Sequence, residues 1–126
     1  ECVTDLKMAQ RVVVDQAAEV VCLKISNLGG LTKARRVRDY VVEQGLSVVA
    51  EDTWGGEITT AAVAHFAAST PPELLYNTTD LHNYNTVSTG KPPPHVESGK
   101  LFAGHTPGLG VSPDFDALGS AVAVYS

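Results

Sequence analysis

Val20-Val21-Cys22-Leu23-Lys24-Ile25 is a short apolar run, rich in β-branched residues and interrupted by a single lysine. A run of this length and composition reads as a strand buried on both faces, the kind that parallel sheets contain. Upstream, residues 4–18 have helical spacing, with Leu6, Ala9 and Val13 on one stripe and Thr4 or Asp5 placed to cap the start. Downstream, Gly29-Gly30 breaks the chain. Residues 31–44 then form a second amphipathic helix, with Ala34, Val37 and Val41 inward and Arg35, Arg36 and Arg38 largely outward. Gly45 stands where a helix end favours a left-handed residue.

The same alternation repeats further along. Residues 46–50 read as a strand, 51–56 as a loop and 57–69 as an Ala-rich helix; Pro71-Pro72 closes that region, and Leu74-Leu75-Tyr76 is a third strand. The strand starts at Val20, Leu46 and Leu74 lie 26 and 28 residues apart. Regular βα alternation at this pitch indicates a parallel sheet, and a barrel of eight such units runs to roughly 250 residues. Three units cannot close a barrel, and alone they leave two strand edges open. A small open three-stranded α/β domain is the alternative, although its usual phosphate loops are missing. Residues 1–76 therefore read as βα units and 77–126 as a separate region. Between 77 and 96 the composition shifts to Asn, Thr, His, Gly and Pro, which reads as a long structureless loop. Residues 96–102 look like a hairpin turning at Ser98-Gly99, and the tail 107–126 shows no regular element.

Composition narrows the function classes. The 126 residues are 44% hydrophobic and 18% charged, which is ordinary globular composition. Nine basic against fourteen acidic residues give a net charge of −5 with no basic stripe, so nucleic acid is not an expected partner. No apolar run approaches the ~20 residues of a membrane span. No signal peptide is visible, and the abrupt start at Glu1 suggests a cut edge. Cys2 and Cys22 do not make a disulfide framework; they read as free thiols in a cytosolic protein, Cys22 behaving as a small hydrophobe. The sequon Asn77-Thr78-Thr79 is short enough to arise by chance.

Lys24 is the most informative residue for chemistry. It lies near the carboxyl end of its strand, and the period of two places it on one face with Cys22 and Ser26. Its ammonium must either snorkel to solvent or sit in a partly desolvated pocket, where a lowered pKa would let it act as a base. Active sites of barrels form at these strand ends. Glu51, Asp52 and Trp54 follow the next strand and could hold a cationic or polar ligand by ion pairing and cation–π contact, or could simply cap a helix and pack. Asn77, Thr78, Thr79 and Asp80 follow the third strand, so three successive strands each end in a polar cluster. His65 falls on a helix with Ala61, Ala62 and Phe66 and reads as a packing residue. His82, His95 and His105 are scattered through loops without the spacing of a helical zinc site.

Leu23-Lys24-Ile25-Ser26-Asn27-Leu28-Gly29-Gly30-Leu31 resembles the sixth-strand motif of the enolase superfamily, in its mandelate racemase/muconate lactonizing enzyme branch. Glu51-Asp52-Thr53-Trp54-Gly55-Gly56, beginning 27 residues after Lys24, resembles the seventh-strand loop of members acting on proline derivatives, the cis-3-hydroxy-L-proline dehydratases and hydroxyproline betaine epimerases. Pro107-Gly108-Leu109-Gly110-Val111 is similar to the superfamily's closing motif. The resemblance implies an α/β fold, the C-terminal portion of a (β/α)8 (TIM-type) barrel. This chain would hold about strands six to eight with their helices plus a C-terminal tail, residues 77–126 packing back on the barrel or on a capping domain. It implies a Mg2+-dependent lyase or isomerase that abstracts the proton α to a carboxylate, the competing reading being a non-catalytic, truncated barrel module. Lys24 would be the acid/base catalyst, and Glu51, Asp52 and Trp54 would surround the cationic ring nitrogen, with Ser26, Thr78 and Thr79 also binding substrate. The small-molecule partner would be a proline-type amino acid or a betaine. No metal ligand is expected in this chain, the carboxylates lying upstream of Glu1. The isolated chain is expected to be inactive, to depend on that missing part and to associate as a homo-oligomer.

Overall fold

The computed structural model describes residues 2–125. Helix α1 (Leu6–Val14) starts where the Asp5 carboxylate accepts the Met8 amide at 2.8 Å, the N-cap arrangement that its position suggested. It is shorter than the 4–18 periodicity, because Gln16 adopts φ 49° and turns the chain out of helical space. Strand β1 (Val20–Lys24) follows and passes directly into a single helical turn, α2 (Ile25–Leu28). Gly29 and Gly30 sit at φ 80° and 109°, which a side chain would resist, so the double glycine is what lets α3 (Leu31–Glu43) start at a new angle. Strand β2 (Ser47–Glu51), helix α4 (Glu57–Ala68) and strand β3 (Leu75–Thr78) complete the repeat.

The three strands form one parallel sheet in the order β1-β2-β3. Cys22 pairs in register with Val49, Lys24 with Glu51, and Ala50 with Thr78, with one irregularity at Val48/Val49. Val21, Leu23, Val48 and Ala50 enter a core with Val37 and Val41 of α3 and Val63 and Phe66 of α4. The alternate residues Cys22, Lys24, Val49 and Glu51 therefore lie on the opposite face. A parallel sheet with helices on one side and a polar-edged face on the other is the wall of a (β/α)8 barrel, and the α/β expectation holds.

Four expectations about local structure need correction. Ser26 does not continue the strand face of Lys24, since β1 ends at Lys24 and Ser26 is exposed on α2. Arg38 is not outward: it is 4% exposed, because it shares the inward stripe of Ala34, Val37 and Val41. Its guanidinium donates to Ser69 Oγ at 2.8 Å and Thr70 Oγ1 at 3.3 Å, pairs with Asp39 at 2.7 Å, and lies 5.5 Å from the Phe66 ring centre. The third strand begins and ends later than residues 74–76, so Asn77 and Thr78 belong to it.

Nor are the long loop and the tail structureless. A 3-10 helix spans Leu81–Tyr84, and β4 (Gly90–Lys91) pairs antiparallel with β7 (Ser112–Pro113). The hairpin is present as β5 (His95–Glu97) and β6 (Lys100–Phe102), turning at Ser98 and Gly99 with φ 52° and 74°. The tail also carries α5 (Phe115–Leu118), capped by the Asp114 carboxylate. Two-residue strands have no sequence period to detect. Their pairing rests on Glu57, which is buried at the start of α4 and accepts the Thr89 amide at 2.9 Å and its hydroxyl at 3.1 Å. No helix among the described residues is long and apolar enough to cross a membrane.

Candidate active-site face at the strand ends

Adjacent parallel strands in register bring their carboxyl ends to one level, and here that level carries Lys24, Glu51 and Thr78. Lys24 is 8% exposed, and its Nζ lies 3.7 Å from Glu51 Oε1. The other oxygen, Oε2, accepts the Cys22 thiol at 2.8 Å. Cys22 is thus not merely a small hydrophobe. Burial pushes its thiol up from 9.0 to about 11, and the hydrogen bond to Glu51 and its negative charge push the same way.

Asp52 is buried, and its Oδ1 accepts the amides of Thr53 at 2.7 Å and Ser26 at 3.2 Å. The carboxylate thereby ties the loop after β2 to the turn after β1. Ser26 Oγ and Thr53 Oγ1 are 3.2 Å apart and reinforce the same junction. Thr78 Oγ1 donates to the Ala50 carbonyl at 3.1 Å, while Thr79 lies half-buried just past the strand. Trp54 projects from the loop, 62% exposed, with its ring centre 5.9 Å from that of Tyr84. Asn85 Nδ2 donates to the Gly55 carbonyl at 3.0 Å, so the segment after β3 is pinned across the β2 loop. Gly55 has no room for a side chain: a Cβ there would stand 2.2 Å from Thr59 Oγ1.

Lys24, Glu51, Asp52, Trp54 and Thr78 therefore share one end of the sheet, with Ser26 beside Asp52 and Thr79 at the margin. Cys22, Tyr84 and Asn85 were not singled out from the sequence. Only Cys22 had a signal, the period of two that aligns it with Lys24. His65 Nε2 lies 3.3 Å from the Leu109 carbonyl, inside the Pro-Gly-Leu-Gly stretch, rather than within α4 alone. Among the described residues, no group of three or more His, Cys, Asp or Glu side chains could hold a metal ion. Mg2+ does not fit this set of residues alone.

Residues 1–117 match the family described as Enolase C-terminal domain-like. The chain is 45% identical over 116 residues to a cis-3-hydroxy-L-proline dehydratase of Roseibium aggregatum, covering 92% of this chain and 32% of that protein. A crystal structure of a mandelate racemase/muconate lactonizing enzyme from Roseovarius nubinhibens superposes with a TM-score of 0.95 at 66% identity, over 98% of this chain and 33% of that one. A second enzyme of this class from the same organism, complexed with magnesium, superposes with a TM-score of 0.92 at 31% identity, covering 98% of this chain and 34% of that one. The chain thus spans about a third of the length of these relatives.

Proposed function

Because the chain belongs to the Enolase C-terminal domain-like family, we propose that it supplies one wall of the active site of an enzyme that abstracts the α-proton of a proline-type amino acid, with cis-3-hydroxy-L-proline dehydration as the reaction. The observation that carries this reading is the buried Lys24 beside Glu51 at the carboxyl ends of neighbouring parallel strands. A lysine there can lose its proton and take one from a substrate carbon, while the 3-hydroxyl, which in the cis isomer lies on the face opposite the α-hydrogen, leaves as water with a proton supplied from the other side of the site. Glu51 and the exposed Trp54 offer a charge and an aromatic face to a cationic ring nitrogen. Ser26, Thr78 and Thr79 supply hydroxyls at the rim, and Asp52 sets the loop that presents Trp54. Mg2+ dependence is carried over from the family, the ligands lying outside these residues, so no step is routed through the ion.

Proton exchange at the α-carbon of cis-3-hydroxy-L-proline in D2O, followed by NMR, tests the reading in the protein that carries this stretch with the rest of its barrel. Lys24→Ala is expected to lower the exchange rate by at least ~10²-fold, the usual scale of a positioned acid or base. Exchange at the unmodified rate would overturn the assignment. Epimerisation of a hydroxyproline betaine is the second reading. It is favoured by the exposed Trp54–Tyr84 pair, since aromatic faces bind quaternary ammonium groups. Net inversion without loss of water would select it.

A further inference from the structure

We propose that Cys22 is a positioning residue for Lys24: its thiol holds one oxygen of Glu51 and thereby limits how tightly the other oxygen holds the lysine. The inference rests on the reading of Lys24 as the acid/base group. Cys22 and Lys24 stand two residues apart on one face of β1, and Glu51 is in register with Lys24 on β2. The carboxylate bridges them, with Oε2 2.8 Å from Sγ and Oε1 3.7 Å from Nζ. The second distance is an ion-pair contact longer than an ordinary N–H···O hydrogen bond of about 2.7–3.2 Å. The thiol must be the donor, because a thiolate would repel the carboxylate, and its pKa of about 11 keeps it protonated across the working range.

The other described groups around this end of β1 do not duplicate the thiol. Asp52 has turned Oδ1 onto the amides of Ser26 and Thr53. Turn α2 contributes Ser26 and Asn27, which do not titrate. Strand β3 brings Asn77 and Thr78, with Tyr76 exposed. Helices α3 and α4 pack behind Val21, Leu23, Val48 and Ala50, and Arg38 is spent there on Asp39, Ser69 and Thr70. If the thiol is removed, Oε2 loses its donor and the carboxylate is released to turn toward Nζ. A closer anion favours the ammonium, so Lys24 needs a higher pH to become a base.

The pH profile of kcat/KM for α-proton exchange in the complete enzyme reads this directly. Cys22→Ala should move the acidic limb upward by on the order of one pH unit, giving about a tenfold loss below the limb that recovers at high pH. Cys22→Ser keeps a donor and should restore the limb. A uniform loss with the limb unmoved is what a packing role would give, and it would overturn the proposal. A readout independent of turnover covers the case in which Cys22→Ala does not fold. The pH dependence of Cys22 alkylation, mapped by peptide mass spectrometry, should shift downward in Glu51→Gln; an unchanged midpoint would also overturn it. Full exchange in Lys24→Ala would remove the underlying reading, whereas an inactive Lys24→Ala with an unmoved Cys22→Ala limb would defeat this inference alone.

Discussion

Glu51 and Asp52 are neighbours in sequence and face different partners. Glu51 divides its oxygens between a thiol and an ammonium, whereas Asp52, 6% exposed, turns inward onto two backbone amides. Removing a buried acceptor leaves its donors unsatisfied, at about 1–3 kcal/mol. Asp52→Ala should therefore lower stability by roughly that amount, read as a lower urea midpoint with an unchanged slope. An unchanged midpoint would mean that the amides find other partners. That Lys24 would either snorkel to solvent or sit buried at the strand end was legible from the sequence, because a lone cation in an apolar strand has few physical outcomes. The partners of Cys22 and Asp52 were not, because they depend on the register between β1 and β2 and on the end of the strand at Lys24. No local pattern around either residue encodes that register.

At the scale of elements, two buried charges join pieces that the hydrophobic pattern leaves separate. Arg38 fastens α3 to the end of α4 through Ser69 and Thr70. Arg38→Ala removes those bonds together with the packing on Phe66, while Asp39, half exposed, keeps Arg35 at 3.6 Å; a loss of about 1–3 kcal/mol is expected. Arg38→Lys should not restore it, since an ammonium cannot reach three acceptors in the guanidinium's plane. Denaturation of both variants checks this.

Glu57 joins the start of α4 to the segment before β4. Burial pushes its carboxyl up, but hydrogen bonds from its own amide, from the Thr89 amide and from the Ser88 and Thr89 hydroxyls outweigh burial and hold it below 4.5. A carboxylate held down in the folded state contributes stability above its unfolded value, and that contribution is lost as pH falls through the folded value. Acidification from pH 6 through the lowered folded value should therefore reduce the protection of the amides around Thr89 and Gly90, measured against their intrinsic exchange rates at each pH, in the wild type. Glu57→Gln should already show the reduced protection at neutral pH. The helices and long strands were legible from their periods. The segment holding β4 and β7 was not, because it is organised by one buried carboxylate and strands of two residues.

On the scale of the whole molecule, the repeat of strand and helix at a pitch near 27 residues indicates a parallel sheet, and it is the resemblance of the Lys24 and Glu51 motifs that turns this into a barrel wall rather than a small open sheet. Among the described residues the wall is open, with β1 and β3 as its edges. Phe115, Leu118, Val122 and Tyr125 are exposed near the end of the chain, from 52% for Leu118 to 104% for Val122. Open edges and uncovered apolar groups both promote association. Expressed alone, these residues should sediment well above 13.3 kDa, and a clean monomer at that mass would show that the edges protect themselves.

Trp54 is the only tryptophan in these 126 residues, and it stands exposed beside Tyr84 at the strand ends. The wall thus comes with its own optical reporter. Excited near the red edge of absorption, this stretch emits from a single indole in contact with water. A molecule settling against that ring would strip the water away and shift the emission to the blue. Occupancy of the mouth could then be followed by light alone, without turnover, label or substitution.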